Sequence, residues 1–187
     1  SPKQFHHTPP TAVPVQLGDF KSAIHAIFDP LRSSADFISI LENSSGLKNV
    51  FLTSSGRAAL LIILLTLKSR SDRLEVILPA YTCPTVFQAV IEAGLQPLFC
   101  DVDPRTLGFD RDHLSHLLSE KVLSIVPSHL YRLAQDITDL VGVCRDLGIY
   151  IVEDAAQAFG TLGSGKMVGC TGDFGLFSMG FGKSLPI

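Results

Sequence analysis

Leu147-Gly148-Ile149-Tyr150-Ile151-Val152-Glu153-Asp154-Ala155-Ala156-Gln157 holds a complete structural transition in one short run. The preceding residues, 137–147, have the pattern of a helix, and Gly148 suits the left-handed position that closes one. Ile149 to Val152 is then an unbroken apolar run, as in a strand covered on both faces. Two carboxylates and a set of small residues follow where that strand must end. The same order repeats upstream. Strands are expected at 74–78, 97–100 and 122–126, alternating with helices at 57–67, 85–93 and 110–118. A short strand is expected at 50–53 and another within 172–177. This alternation predicts an α/β fold, three layers deep, around a mostly parallel sheet. In such sheets ligands bind beyond the carboxyl ends of the strands. The polar clusters of this chain fall at those ends.

Residues 1–18 carry four Pro and no periodicity, so an extended arm is expected there, followed by short helices and loops over 19–47. The α/β domain is expected over 50–187. Apolar residues make up 46% of the 187-residue chain and charged residues 18%, which suits a sheet with both faces covered. A net charge of −3 gives no reason to expect nucleic acid or an anionic membrane as partner. The longest apolar run, 58–67, falls short of the about 20 residues that cross a bilayer. Four scattered Cys without a CxxC pair, and no apolar leader at the N-terminus, point to a reducing, cytoplasmic setting.

Several residues could carry chemistry. Ser54-Ser55-Gly56-Arg57 joins a strand to a helix, and small residues at a helix N-terminus let backbone N–H groups approach an anion. Asp154 stands at a strand end, with Ala155 and Ala156 leaving room for something flat and Gln157 adding an amide. Ser178 and Lys183 are separated by a glycine-rich loop. His129 follows the strand at 122–126 and could face the same crevice. Taken singly, each has an ordinary reading: a plain turn, a strand-end cap, a surface lysine, a packed histidine. Arg132 and Asp136 read as surface or helix-start residues.

As an ordered set these residues resemble the DegT/DnrJ/EryC1/StrS family of sugar aminotransferases, pyridoxal phosphate enzymes of the aspartate aminotransferase fold. The matching stretches are Thr53-Ser54-Ser55-Gly56-Arg57-Ala58-Ala59-Leu60, Leu78-Pro79-Ala80-Tyr81-Thr82, Phe99-Cys100-Asp101-Val102-Asp103, Val126-Pro127-Ser128-His129-Leu130-Tyr131, Val152-Glu153-Asp154-Ala155-Ala156-Gln157-Ala158, Gly172-Asp173-Phe174-Gly175, and Phe177-Ser178 with Lys183. The resemblance implies that Lys183 joins the cofactor covalently, that Asp154 pairs with the pyridine nitrogen, and that Gln157 lies near the ring oxygen. It implies that Ser178, with the backbone at Ser55 and Gly56, binds the phosphate.

Three positions depart from the family pattern. Arg57 stands where Thr is usual; it could serve a phosphate or turn away. Cys83 replaces the aromatic residue that stacks on the cofactor ring, so Tyr81, His129 or Phe87 would have to substitute. Arg132 replaces a Gly. The resemblance further implies transfer of an amino group, from glutamate, to a nucleotide-linked keto-sugar in cell-surface polysaccharide or secondary-metabolite biosynthesis, in a homodimer. Family members continue past the lysine through a further strand and a small C-terminal domain. The sequence as read stops near Lys183, so an incomplete large domain without activity of its own is expected. The alternative is a catalytically silent relic serving as an interaction module.

Overall fold

The structure, a computed structural model, describes residues 27, 29–45 and 47–179. The expected arm over 1–18 and Lys183 lie outside the described residues. The chain divides into two compact units, one of them Thr53–Ser178, and each is described by itself.

In the first unit, α1 (Pro30–Ser45) is one continuous 16-residue helix where the sequence suggested shorter pieces. Its start is well specified. The Asp29 carboxylate accepts the Arg32 N–H at 3.1 Å, and Pro30 occupies a position whose N–H would have no intrahelical partner. The strand expected at 50–53 does not form, and Phe51 is 83% exposed. Apolar residues give a segment the capacity to be a strand, but a ladder needs a partner. No described strand pairs with this segment.

The second unit carries the α/β alternation. Its elements are α2 (Gly56–Lys68), β1 (Glu75–Pro79), α3 (Pro84–Glu92), β2 (Gln96–Cys100), α4 (Arg111–Leu117), β3 (Val122–Ile125), α5 (Thr138–Leu147), β4 (Tyr150–Asp154), β5 (Leu162–Gly163), β6 (Lys166–Met167) and β7 (Phe174–Leu176). Five strands form one sheet in the order β2-β1-β3-β4-β7, and every neighbouring pair is parallel. Gly94 (φ 67°) and Gly148 (φ 64°) follow α3 and α5 in the left-handed conformation expected of them.

The strand order decides where the polar ends meet. From β1 the chain moves outward to β2, then crosses back over β1 to β3 and continues to β4. With right-handed crossovers, this reversal sends α3 to one face and α4 and α5 to the other. The core agrees. Leu60, Leu64, Val86 and Val90 of α2 and α3 pack with Val76, Leu78 and Val152 on one side. Leu114, Leu140 and Cys144 of α4 and α5 pack with Ile77, Ile125 and Ile151 on the other. The switch point therefore lies between β1 and β3, and a crevice opens there at the carboxyl ends.

Two local features differ from expectation. Helix α2 is apolar almost all round, which predicts burial on every side. Only the stripe Leu60, Leu64 and Leu67 is buried, while Ile62 and Leu65 are 54% and 46% exposed. One sheet face can cover one stripe of a helix; Ala59, Leu61 and Ile63 pack at the margins of that stripe, and Ile62 and Leu65 lie beyond it. The hairpin β5–β6 has no counterpart among the strands expected from the sequence. Its turn is Ser164-Gly165, both with positive φ (49° and 78°), the geometry that two-residue hairpin turns require.

Candidate active site

Helix α2 begins where β7 ends. Ser55 caps it: its hydroxyl oxygen accepts the Ala58 N–H at 3.1 Å, and its carbonyl accepts the Ala59 N–H at 3.0 Å. The first N–H groups, those of Gly56 and Arg57, are left to an outside partner. Ser178 stands next to this helix end. A Cβ added at Gly56 would lie 3.6 Å from the Ser178 Cβ, 3.8 Å from the Leu176 Cδ1 and 3.9 Å from the Phe177 carbonyl oxygen. The structure thus brings Ser55, Gly56 and Ser178 together across more than a hundred residues of sequence. Helix-terminal N–H groups, with a positive dipole end, and the Ser178 side chain lie on either side of a gap that a Cβ at Gly56 would fill. The Arg57 guanidinium lies elsewhere, reaching the Glu92 carboxylate of α3 at 3.4 Å.

Asp154 closes β4, the strand paired with β7, and is 7% exposed. Its backbone is pinned on both sides: its N–H donates to the Pro127 carbonyl at 2.8 Å, and its carbonyl accepts the His129 N–H at 2.9 Å. Its carboxylate accepts the Ala156 N–H at 3.0 Å. Ala155, the next residue, is fully buried. Gln157 follows, its Oε1 accepting the Tyr131 N–H at 3.2 Å. That bond holds an unusual loop. Tyr131 (φ 53°) and Arg132 (φ 63°) are both left-handed, a conformation that costs a non-Gly residue roughly 1–2 kcal/mol. Arg132 replacing Gly therefore keeps the backbone shape that Gly would adopt freely.

No aromatic residue occupies the Cys83 position. Cys83 precedes α3, and its thiol lies 3.1 Å from the Thr85 hydroxyl. Of the three possible substitutes, Phe87 is stacked on Phe99 with ring centroids 5.9 Å apart, and His129 is 1% exposed. Tyr81 remains at the crevice end. Its hydroxyl bonds the Tyr131 hydroxyl at 2.6 Å, and the neighbouring Thr82 hydroxyl bonds Ser128 at 3.0 Å. Both links bridge the switch point from the β1 side to the β3 side.

His129 does not face the crevice. Its Nδ1 accepts the Gln135 N–H at 3.0 Å, which leaves the proton on Nε2, and Nε2 donates to Glu153 at 3.0 Å. Glu153 is 1% exposed. It also accepts the N–H groups of Gly169 (2.9 Å), Thr171 (2.6 Å) and Gly172 (2.6 Å). Burial pushes this carboxyl up, but the His129 N–H and the three backbone donors outweigh burial and hold it below the usual carboxylate range. The sequence offers Glu153 as half of a carboxylate pair with no way to see these partners. Among the described residues, no group of three metal-binding side chains occurs, and no helix is long and apolar enough to cross a membrane. A hollow of about 390 Å³, lined by Asp72, Arg73, Glu75 and Lys121 among others, lies at the amino ends of the strands. It gathers none of the converging groups described above.

Residues 32–186 match the model of the DegT/DnrJ/EryC1/StrS aminotransferase family. The chain belongs to this family. Among curated relatives, the protein MosB of Rhizobium meliloti is 34% identical over 136 residues, covering 73% of this chain and 27% of that protein. A UDP-N-acetyl-3-dehydro-alpha-D-glucosamine 3-aminotransferase of Acidithiobacillus ferrooxidans is 33% identical over 141 residues, covering 75% of this chain and 38% of the enzyme. The solved structure of Helicobacter pylori PseC, an aminotransferase of pseudoaminic acid biosynthesis, superposes with a TM-score of 0.85 at 20% identity, over 92% of this chain and 48% of that one. The chain thus spans well under half the length of these curated relatives and about half of the solved chain. The fold of the DegT family is that of the described domain. Pyridoxal 5′-phosphate is the family's cofactor, and the residues present fit it: an anion cradle at Gly56 and Ser178, and a buried-end carboxylate at Asp154.

Proposed function

We propose that this chain is the cofactor-holding part of a pyridoxal phosphate-dependent aminotransferase that moves an amino group, from glutamate, onto a nucleotide-linked keto-sugar. The observation that supports it most directly is the meeting of Gly56 and Ser178 at the same end of the sheet as Asp154. When bound, pyridoxal phosphate supplies an electron sink for the substrate carbon. The chain's own residues have five tasks. The Gly56 and Arg57 N–H groups and the Ser178 hydroxyl bind the phosphate. The Asp154 carboxylate keeps the ring nitrogen protonated through charge pairing. Gln157, already holding the Tyr131 loop, offers its amide beside the ring oxygen. Lys183, outside the described residues, attaches the cofactor and carries the proton at its Nζ, a role that requires an amine tuned toward neutrality. Tyr81 takes the place of the missing aromatic at Cys83. A cytoplasmic homodimer working in surface-polysaccharide or secondary-metabolite synthesis is the setting that fits this chemistry.

The test is spectroscopic. Pyridoxal 5′-phosphate added to the full-length protein should give a near-visible absorbance band. Borohydride should abolish the band and leave the label on the peptide carrying Lys183. A label elsewhere, or no band at saturating cofactor, would remove the basis of the proposal.

A further inference from the structure

We propose that Glu153 is the positioning residue for the phosphate end of this cofactor site; the inference rests on the function proposed above. Glu153 touches neither of the groups assigned to the cofactor. It precedes Asp154 in β4, so the alternation of the strand sends its side chain to the opposite face. There it fixes a segment that the catalytic assignment leaves unexplained, the loop 169–172 before β7. A carboxylate offers about four acceptor sites. One oxygen takes the Thr171 and Gly172 N–H groups, the other the Gly169 N–H and the His129 Nε2–H. All four positions are used, and all the donors are fixed by backbone or by a histidine whose other nitrogen is already committed.

The loop in turn sets β7. A Cβ at Gly175 would overlap the Gly169 carbonyl, and one at Gly169 would strike the Phe177 ring. Gly172 fits as closely against Ile151. The loop therefore lies flat against the strand that leads to Ser178, with no slack between them. The Asp173 carboxylate accepts the Ile151 N–H at 2.8 Å and ties the same corner to β4. If the Glu153 bonds are lost, the loop shifts, Gly175 and Phe177 shift with it, and Ser178 leaves the α2 terminus. Ring-nitrogen pairing at Asp154 stays, because the Pro127 and His129 backbone groups hold Asp154 from the other side.

Glu153→Gln separates positioning from general destabilisation. Whichever way the amide is placed, its NH2 faces two N–H donors, so the loop cannot be held as before. The readout is the phosphate preference of the full-length protein, the Kd for pyridoxal divided by that for pyridoxal 5′-phosphate. It is measured by absorbance titration on protein shown to be folded by circular dichroism. The expected result is a fall of at least about tenfold in this preference, the size of one lost hydrogen bond to a charged group, with pyridoxal binding itself little changed. An equal loss for both ligands would mean that Glu153 only stabilises the fold, and would overturn the inference, as would an unchanged preference. If E153Q does not fold, Gly169→Ala carries the test. It keeps the Glu153 side chain but, at φ 87° and against the Phe177 ring, displaces the Gly169 N–H and the loop together, and an unchanged preference in that variant would equally overturn the inference. A wild-type protein that binds neither ligand would fail the proposed function and take this inference with it.

Discussion

Gly56→Ala separates folding from cofactor binding at a single methyl group. In the structure the new Cβ meets only ordinary van der Waals neighbours, at 3.6, 3.8 and 3.9 Å, and Gly56 has no positive φ to lose. Within a helix, Ala is favoured over Gly by roughly 0.5–1 kcal/mol. The cofactor-free protein should therefore melt at the same temperature or up to a few degrees higher, at roughly 2–4 °C per kcal/mol for a chain of this size. The methyl, however, fills the gap between the α2 terminus and Ser178. A phosphate kept away from even one N–H donor loses a hydrogen bond to a charged group, worth about 1.5–3 kcal/mol, so its affinity should fall on the order of ten- to a hundredfold. Differential scanning fluorimetry without cofactor and absorbance titration with pyridoxal 5′-phosphate measure the two effects. A variant that melts normally and binds the cofactor as tightly as wild type would refute the placement of the phosphate at this helix end. A variant that melts many degrees lower would refute the claim that the gap is free of strain.

Asp154→Asn preserves the acceptor for the Ala156 N–H and should leave the fold intact. A neutral amide cannot hold the ring proton, so the full-length enzyme should lose most of its transaminase kcat in a coupled glutamate assay, and unchanged turnover would count against the ring-nitrogen role. Arg132→Gly should remove part of the left-handed strain at φ 63° and, net of the entropy of the added glycine, raise the melting temperature by about 1–3 °C. A lower melting temperature would show that the Arg132 side chain makes a contact worth more than the strain. Burial pushes the Cys100 and Cys144 thiols up to about 11, with nearby carboxylates adding to it. Both should stay protonated at pH 8 and react with iodoacetamide well after the partly exposed Cys83, as peptide mass spectrometry can follow.

The sequence displays periodicity and punctuation, and the structure agrees with it where those suffice. Gly94 and Gly148 mark helix ends because a left-handed residue is a local demand. Asp154 is legible because a carboxylate at the end of an apolar run is a local contradiction. The failures involve partners. Residues 50–53 have the composition of a strand and no ladder to join. Ile62 and Leu65 look buried, but one sheet face covers only the Leu60, Leu64 and Leu67 stripe. Glu153 and His129 appear as an undistinguished acid and base. The bonds of Glu153 reach residues 16 to 24 positions away, which no pattern within a helix turn or strand can reveal. The meeting of Gly56 with Ser178 was legible only through resemblance to a family, since spacing alone does not bring residue 56 to residue 178.

The position of β1 in the middle of the sheet also bears on how the chain comes together in time. Glu75 pairs with Gln96 on one side, 21 positions away, and with Val122 on the other, 47 positions away. Loop-closure entropy rises by about 0.6 kcal/mol for each doubling of the loop. The β1–α3–β2 unit should thus form first, as a nucleus with one free edge, and β3 should dock onto that edge only after β2 and α4 have been passed over. Docking of β3 is the step that first brings the Tyr81–Thr82 loop opposite Ser128–Tyr131. Until then the β1 edge of the nucleus is open to pairing with another chain. A folding time course followed by pulsed hydrogen exchange should show protection of the amides at 76–78, 96 and 98–100 before protection at 150–154, and the crevice should be among the last parts of the domain to take shape.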